Sequence, residues 1–569
     1  MPTRRCIWRM LFSSNRGMFM TSVPDAVDVT AGKGTPGLFA RENTIAGPRF
    51  NRWLVPPAAL AIHLCIGMAY GFSVFWLPMT RLIPHTDAAA CAAQGFIAGL
   101  FATTCNWSVP AVTPVFEIFI AMLGISAAIW GGWLEHAGPR KAGLIAAFCW
   151  GGGLVLLGAA VSVHALWLVY LASVLCGIGQ GLGYITPVST LIKWFPDRRG
   201  MATGLAIMGY GGGAMIGAPL AVWLMAHFAS GGVPGVAQTL MAMGAIYFVF
   251  MAGGAFGFRV SPDGWQPAGW TRPANAGANA MITRANVLLN TAWKTPQFWL
   301  IWGVLCLNVT AGIGVISMAS PMLQDVFGAK LVGVDTVAAL TGAQKAEIAA
   351  AAAGLVGLIS LFNALGRIFW ASLSDRIGRK TMYSLIFVIG IVVYGLLPTW
   401  GHLGVPALFV LSVCIILSMY GGGFATVPAY LADIFGTQMV GAIHGRLITA
   451  WSVAGVAGPA LIAGLRQFQI DHGVAHNLVY DITLYVMAFL LFGGLVCNLF
   501  VSPVDAKYHA TEAQLARERA LRREEPMAAG AQIAARGEFG SRGLLAWLVV
   551  GIPFLIGLYI VGTKVAALF

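Results

Sequence analysis

Apolar runs of about twenty residues, parted by short polar turns, fill most of the chain. A helix of that length spans a hydrocarbon core of ~30 Å, and it satisfies its backbone hydrogen bonds without water. The pattern predicts helices over 53–80, 110–134, 143–162, 166–193, 201–228 and 237–260, then over 297–325, 348–373, 381–398, 406–431, 441–465 and 480–501. A further apolar segment covers 544–569, and a lone extra helix of this kind is expected to pack at the periphery. Residues 261–296, rich in Pro, Gly, Ala and Asn with Arg272, Arg284 and Lys294, read as a cytoplasmic linker between two bundles, 51–260 and 297–501. Residues 1–50 read as a disordered cytoplasmic N-terminus. Residues 502–543 read as a cytoplasmic tail, helical from Glu512 to Arg523 where charge alternates with Ala and Leu.

Two of the turns share a pattern. Trp130 opens a stretch that reaches Glu135, His136, Gly138, Arg140 and Lys141; Trp370 opens one that reaches Asp375, Arg376, Gly378, Arg379 and Lys380. Asp375 stands 240 positions after Glu135, and in both copies a glycine follows the acid by three and basic residues come next. A charged turn of this kind cannot lie in hydrocarbon, so both copies mark loops on one membrane face. A half duplicated with six spans in each copy resembles the parallel-repeat plan of the major facilitator superfamily. The resemblance implies an all-α membrane protein of two six-helix bundles, here with one extra C-terminal transmembrane helix.

Charge bias orients it. Loops after even-numbered helices carry Arg140, Lys141, Lys193, Arg198, Arg199, Arg376, Arg379 and Lys380, whereas the odd ones offer Arg81, Lys330, Lys345 and Arg466. The even loops and the N-terminus are therefore expected in the cytoplasm. The expected location is the plasma membrane, the inner membrane of a bacterium.

Composition narrows the function. Hydrophobic residues make up 58% and charged ones 10%, too little polar surface for a soluble protein of this size. Glycine, at 72 residues, recurs inside apolar runs as Gly209-Tyr-Gly-Gly-Gly213 and Gly421-Gly-Gly423, where small residues let helices approach closely. The formal charge of +13 follows from the loop bias, and no basic cluster interleaved with aromatics points to nucleic acid. Nine cysteines include no pair with zinc or thioredoxin spacing, so no metal is expected. Cys91 and Cys105 share the long polar loop before the second span and are expected to form a disulfide. Residues 1–22 carry Arg4, Arg5, Arg9 and Arg16 around a broken apolar stretch that does not read as a cleavable signal, with Met18 or Met20 as the alternative start. No Walker loop, nucleophile constellation or cofactor motif appears, so the chain reads as neither an enzyme nor a cofactor carrier.

Depth singles out one residue. Arg367 precedes Asp375 by eight residues, hence lies ~12 Å inside the bilayer at 1.5 Å per residue. An arginine there faces a cavity and meets an anion or a partner carboxylate. Asn363 stands one turn away on the same face. The equivalent positions 240 residues earlier are Ala127 and Leu123, so the site is asymmetric. Gln180, Tyr184, Tyr210, Asn308 and Tyr420 reach similar depth, as substrate contacts or as helix-packing bonds. His63 reads as a proton carrier or as a histidine that is merely hydrogen-bonded. His444 and Arg446 open the eleventh helix near the cytoplasmic mouth and read as gate or headgroup residues.

Tyr184-Ile-Thr-Pro-Val-Ser-Thr-Leu-Ile-Lys193-Trp-Phe-Pro-Asp-Arg-Arg-Gly200 and Gly421-Gly-Gly-Phe-Ala-Thr-Val-Pro-Ala-Tyr430 resemble the oxalate/formate antiporter family, which also contains proton-linked monocarboxylate carriers. The resemblance covers about 50–505, and the repeated loops match the superfamily's motif, the first with Glu135, His136 and Pro139 in place of Asp, Arg and Arg. It implies that Arg367 meets the substrate carboxylate and that Trp451 stands where oxalate carriers place a lysine. A single deep cation suits a monoanion. The expected function is thus secondary transport of a small monocarboxylate such as formate, lactate or pyruvate by alternating access, by a monomer bathed in membrane lipid, with protons as a coupling ion. An oxalate/formate exchanger is the first alternative; a non-transporting membrane sensor is the alternative of another class.

Overall fold

In hydrocarbon the backbone closes its hydrogen bonds along the chain, and the apolar runs do so as helices in this computed structural model. It describes residues 38–565 except 48–49, 84–95, 113, 263–264, 268–269, 271–280, 335–340, 476–477 and 522–539. Twelve helices among the described residues are long and apolar enough to cross a membrane. They include α1 (Arg52–Phe75), α2 (Pro114–Ala137), α3 (Pro139–Ser162), α4 (Leu166–Trp194), α5 (Arg199–His227) and α6 (Val236–Gly257). The rest of the twelve are α7 (Pro296–Leu331), α9 (Arg379–His402), α10 (Pro406–Phe435), α11 (Val440–Asp471), α12 (Asp481–Phe500) and α13 (Gly540–Val565); α8 (Gly342–Ile377), between α7 and α9, is a further long helix outside those twelve. α8, capped by a reciprocal Thr341–Gln344 box, runs 36 residues and starts before the expected 348.

The duplicated turns share one backbone geometry. Gly138 has φ 80° and ψ 163°, Gly378 φ 86° and ψ 152°. That region is closed to residues bearing a Cβ, so each glycine ends one span and starts the next within a single residue. The repeat is thus a repeat of structure.

Two lengthwise contacts join the halves, α2 against α11 and α5 against α8. Glycine makes both possible: a Cβ at Gly124 would collide with the Ser452 side chain, and one at Gly204 with the Arg367 carbonyl oxygen. Ser452 uses the closeness, donating to the Ile120 carbonyl oxygen at 2.9 Å. Two helices depart from regular α geometry. The outer part of α1 winds into a 3-10 helix over Gly67–Phe75, and α11 breaks at Ile448 between Val440–Leu447 and Thr449–Asp471.

α13 lies across the α5–α8 seam and also touches α1. Val550 packs with Leu60, Met208 and Ala364, one residue from each of those helices. Trp547 Nε1 donates to the Trp53 carbonyl oxygen at 3.1 Å.

Part of the N-terminal stretch expected to be disordered up to residue 50 is built into the fold. Arg41–Thr44 forms a 3-10 turn, and Ala46 N donates to the Val260 carbonyl oxygen at 3.0 Å. Cys105 is disulfide-bonded; Cys91, its expected mate, lies outside the described residues.

Candidate functional site

Glycines on two helices make room for Arg367. A Cβ at Gly421 of α10 would collide with the Asn363 carbonyl oxygen, and one at Gly211 of α5 would stand 3.1 Å from Arg367 Nε. In the space so left, Arg367 is fully buried. Its Nε donates to Asn363 Oδ1 at 3.2 Å and its Nη1 to the Ile207 carbonyl oxygen at 3.0 Å. Phe424 lies against the guanidinium, 5.7 Å from ring centre to Cζ. Asn363 therefore orients the arginine.

An aromatic box adjoins it. Trp451, just past the α11 break, has its ring 4.5 Å from Phe424, 5.2 Å from Tyr210 and 5.5 Å from Tyr184. Tyr210 donates to Gln180 Oε1 at 2.9 Å. Several polar atoms in this box are buried without a hydrogen-bond partner: Arg367 Nη2, Trp451 Nε1, Gln180 Nε2 and the Tyr184 hydroxyl. Each carries a hydrogen to donate. Leaving a buried donor unmet costs about 1–3 kcal/mol apiece, and several such donors in one region with an arginine suit an anion.

Access comes from one end. A cavity of about 420 Å³ is lined by Tyr70, Trp76, Glu117, Gly211, Ile316 and Asn363. Arg367 lies one turn deeper along α8. Tyr70, on the 3-10 stretch of α1, shares a 2.9 Å hydrogen bond with Tyr420 of α10 and so ties the halves together beside Asn363.

The other end, where the charged turns lie, is held shut. Glu135 takes Lys193 Nζ at 2.6 Å, Ser189 Oγ at 3.0 Å and, from the opposite half, Gly441 N at 3.1 Å. Asp375 accepts from Gly200 N and Met201 N, both at 2.9 Å, at the start of α5, where a helix N-terminus favours negative charge. Arg379 bridges Asp375 at 2.7 Å and Asp433 at 3.0 Å, and Asp433 reaches Arg199 of the other half at 2.9 Å.

Other expected residues go elsewhere. Asn308 lines a small pocket with Gly312, Tyr394 and Tyr420, and is not among the residues that line the larger cavity beside Asn363. Arg376 is exposed and makes no ion pair among the described residues. Arg140 lies over Phe256 at 5.8 Å. Arg446 donates to the Leu289 carbonyl oxygen at 3.0 Å and to Asn290 Oδ1 at 2.9 Å, fastening α11 to the linker. His444 is buried beside Tyr184, 5.9 Å between rings, instead of at the mouth.

Sequence reasoning passed over Tyr70 and Asp433, and took Arg199 only as a loop charge. A signal for Asp433 existed, since it stands 240 positions after Lys193 and so repeats a position already charged. Tyr70, a lone tyrosine among small residues, gave none.

The profile of the Major Facilitator Superfamily matches residues 59–459 and again 333–568. This chain belongs to that superfamily. Both superfamily matches run through the 375–380 turn, and the first also takes in 135–141. The chain is 28% identical to the oxalate:formate antiporter of Oxalobacter formigenes over 403 residues, 70% of this chain and 83% of that protein. It is 24% identical to the apicoplast pyruvate carrier 1 of Toxoplasma gondii, covering 64% of this chain and 71% of the other. Among solved structures, the superfamily transporter FucP in its outward conformation superposes with a TM-score of 0.52 at 12% identity, over 80% of this chain and all of that one. That likeness concerns the fold alone.

Proposed function

We propose that this chain is a secondary carrier that moves a small monocarboxylate, such as formate, lactate or pyruvate, by alternating access. The observation that carries the reading is the set of unmet donors around Arg367. A carboxylate accepts there from Arg367 Nη2 and from Trp451 Nε1, Gln180 Nε2 or the Tyr184 hydroxyl, and charge-assisted bonds of this kind are strong in a dry site. One guanidinium balances one negative charge. The basic turns face the cytoplasm of a bacterial cell by the positive-inside rule, so the cavity opens outward and the Glu135, Asp375 and Asp433 network closes the inner end. The carrier acts as a monomer and catalyses no covalent chemistry. Oxalate/formate exchange is the second reading, favoured by the Oxalobacter formigenes relative.

Uptake of labelled formate, lactate, pyruvate and oxalate into vesicles containing the full chain tests this. Saturable monocarboxylate uptake that vanishes in Arg367→Gln, with that variant still folded and inserted, is expected. Near-wild-type uptake by Arg367→Gln overturns the anion reading, and faster exchange of oxalate than of any monocarboxylate selects the second one.

A further inference from the structure

Two buried histidines flank the Tyr184 ring. His63 of α1 stacks on it at 5.2 Å, and His444 of α11 lies 5.9 Å away. Their ring nitrogens differ in what they meet. Those of His63 stand against the Ala206 and Tyr184 carbonyl oxygens, at 2.7 and 3.1 Å. Both nitrogens of His444 are buried without a hydrogen-bond partner among the described residues. Either tautomer of an imidazole carries an N–H, so His444 holds a donor that the closed inner end leaves unmet. Packing on Tyr184 does nothing for that donor.

The ring sits between the halves. Tyr184 belongs to α4 of the first half, and His444 to α11 of the second. A Cβ at Gly445, the next residue, would collide with the Ala127 carbonyl oxygen of α2. One turn earlier, Gly441 N donates to Glu135 within the network that shuts the charged end. One turn later, α11 breaks at Ile448. His444 thus rides on a short helical piece, Val440–Leu447, that joins the closing network to the aromatic box. It precedes Trp451 by seven positions and so lies ~10 Å nearer the charged turns. Parting the halves at that end breaks the Glu135–Gly441 bond and draws His444 away from Tyr184, which leaves the ring lining the path so opened.

We propose that His444 is a second carboxylate contact, met by the substrate on the cytoplasmic side of Arg367 once the inner end opens. This rests on the carboxylate reading given above. The His444 N–H and the unmet Tyr184 hydroxyl are donors on opposite halves, and a carboxylate fits between them only as the halves separate. The bond to His444 forms in the inward-facing state and not in the outward one, so it strengthens binding at the inner face alone. The anion leaves Arg367 for a second donor before it meets water.

The test measures KM for formate, lactate and pyruvate at each face, as influx into right-side-out and inside-out vesicles holding the full chain. His444→Phe keeps a ring against Tyr184 and deletes both nitrogens, whereas His444→Gln gives up the ring and keeps an N–H. In His444→Phe the cytoplasmic-face KM should rise about tenfold, as for one lost hydrogen bond to a charged acceptor, with the outer-face KM within about twofold of wild type. His444→Gln should recover most of the cytoplasmic-face KM. An unchanged cytoplasmic-face KM in His444→Phe, an equal change at both faces, or a His444→Gln no better than His444→Phe overturns the proposal. His444→Cys gives a measure that needs no transport. A small charged thiol reagent applied from the cytoplasmic face should modify it, and more slowly with carboxylate present. No modification, or a rate that carboxylate leaves unaltered, also overturns the assignment. Absence of any carboxylate uptake by wild type is a different result, which removes the carboxylate reading and this proposal together.

Discussion

Trp451→Phe keeps an aromatic ring, though a smaller one, against Phe424 and Tyr210 and deletes one unmet N–H. Monocarboxylate affinity should fall about tenfold, the loss of one hydrogen bond to a charged acceptor at about 1.4 kcal/mol, as read by uptake KM. Unchanged KM would mean that the indole only fills space. Trp451→Lys adds a second cation and should shift preference toward oxalate in competition assays. Arg367→Lys keeps charge but loses the planar fork, so some transport should survive at raised KM. At this scale much of the site was legible. A charge or amide in an apolar run stands out, which is how Arg367, Asn363 and Gln180 were found, whereas Trp451 was marked only by the family resemblance; the structure places the four in one buried region. Asn308 did not join them because helical rise gives depth and says nothing of rotation about the axis. Tyr70 stayed hidden because its role depends on Tyr420, 350 positions away.

At the scale of elements, the turn glycines carry a sharp demand. Gly378→Ala forces a Cβ into a backbone region reserved for glycine, at a cost of about 1–3 kcal/mol, and should lower thermal stability in detergent; an unchanged melting temperature would show that the α8–α9 turn has another conformation open to it. The loop before α4 answers to pH. Burial of His164 lowers its pKa from the ordinary imidazole value, partly offset by its hydrogen bond with the Cys105 carbonyl oxygen. The folded loop thus favours the neutral ring, while the opened loop takes a proton more readily. Its stability is whole above about pH 6.5 and falls as pH drops from there through the lower folded-state value. Protection factors for hydrogen exchange around 101–112, which take out the slowing of intrinsic exchange in acid, should fall on acidification, and less so in His164→Phe. The spans themselves could be read because length and hydropathy decide them. The α11 break and the 3-10 part of α1 could not, since close approach to neighbouring helices sets them.

At the scale of the whole molecule, the two halves meet through charge at one end and part around a cavity at the other. Asp433 holds Arg199 and Arg379 at once, so Asp433→Asn should weaken closure of the charged end by about 3 kcal/mol. Cysteines placed along the inner ends of α4 and α10 should then label faster; unaltered labelling would show that Glu135 and Asp375 suffice. α13 has a consequence of another kind. Phe554 and Gly557 lie on Gly212 and Met215 of α5, a smooth stretch beside α8, where acyl chains would otherwise fill the groove between the two halves. The chain carries its own boundary lipid there, of a length and stiffness written in its gene. Turnover should therefore depend little on acyl length or unsaturation, and a chain cut before Gly540 should regain that dependence in vesicles of graded composition.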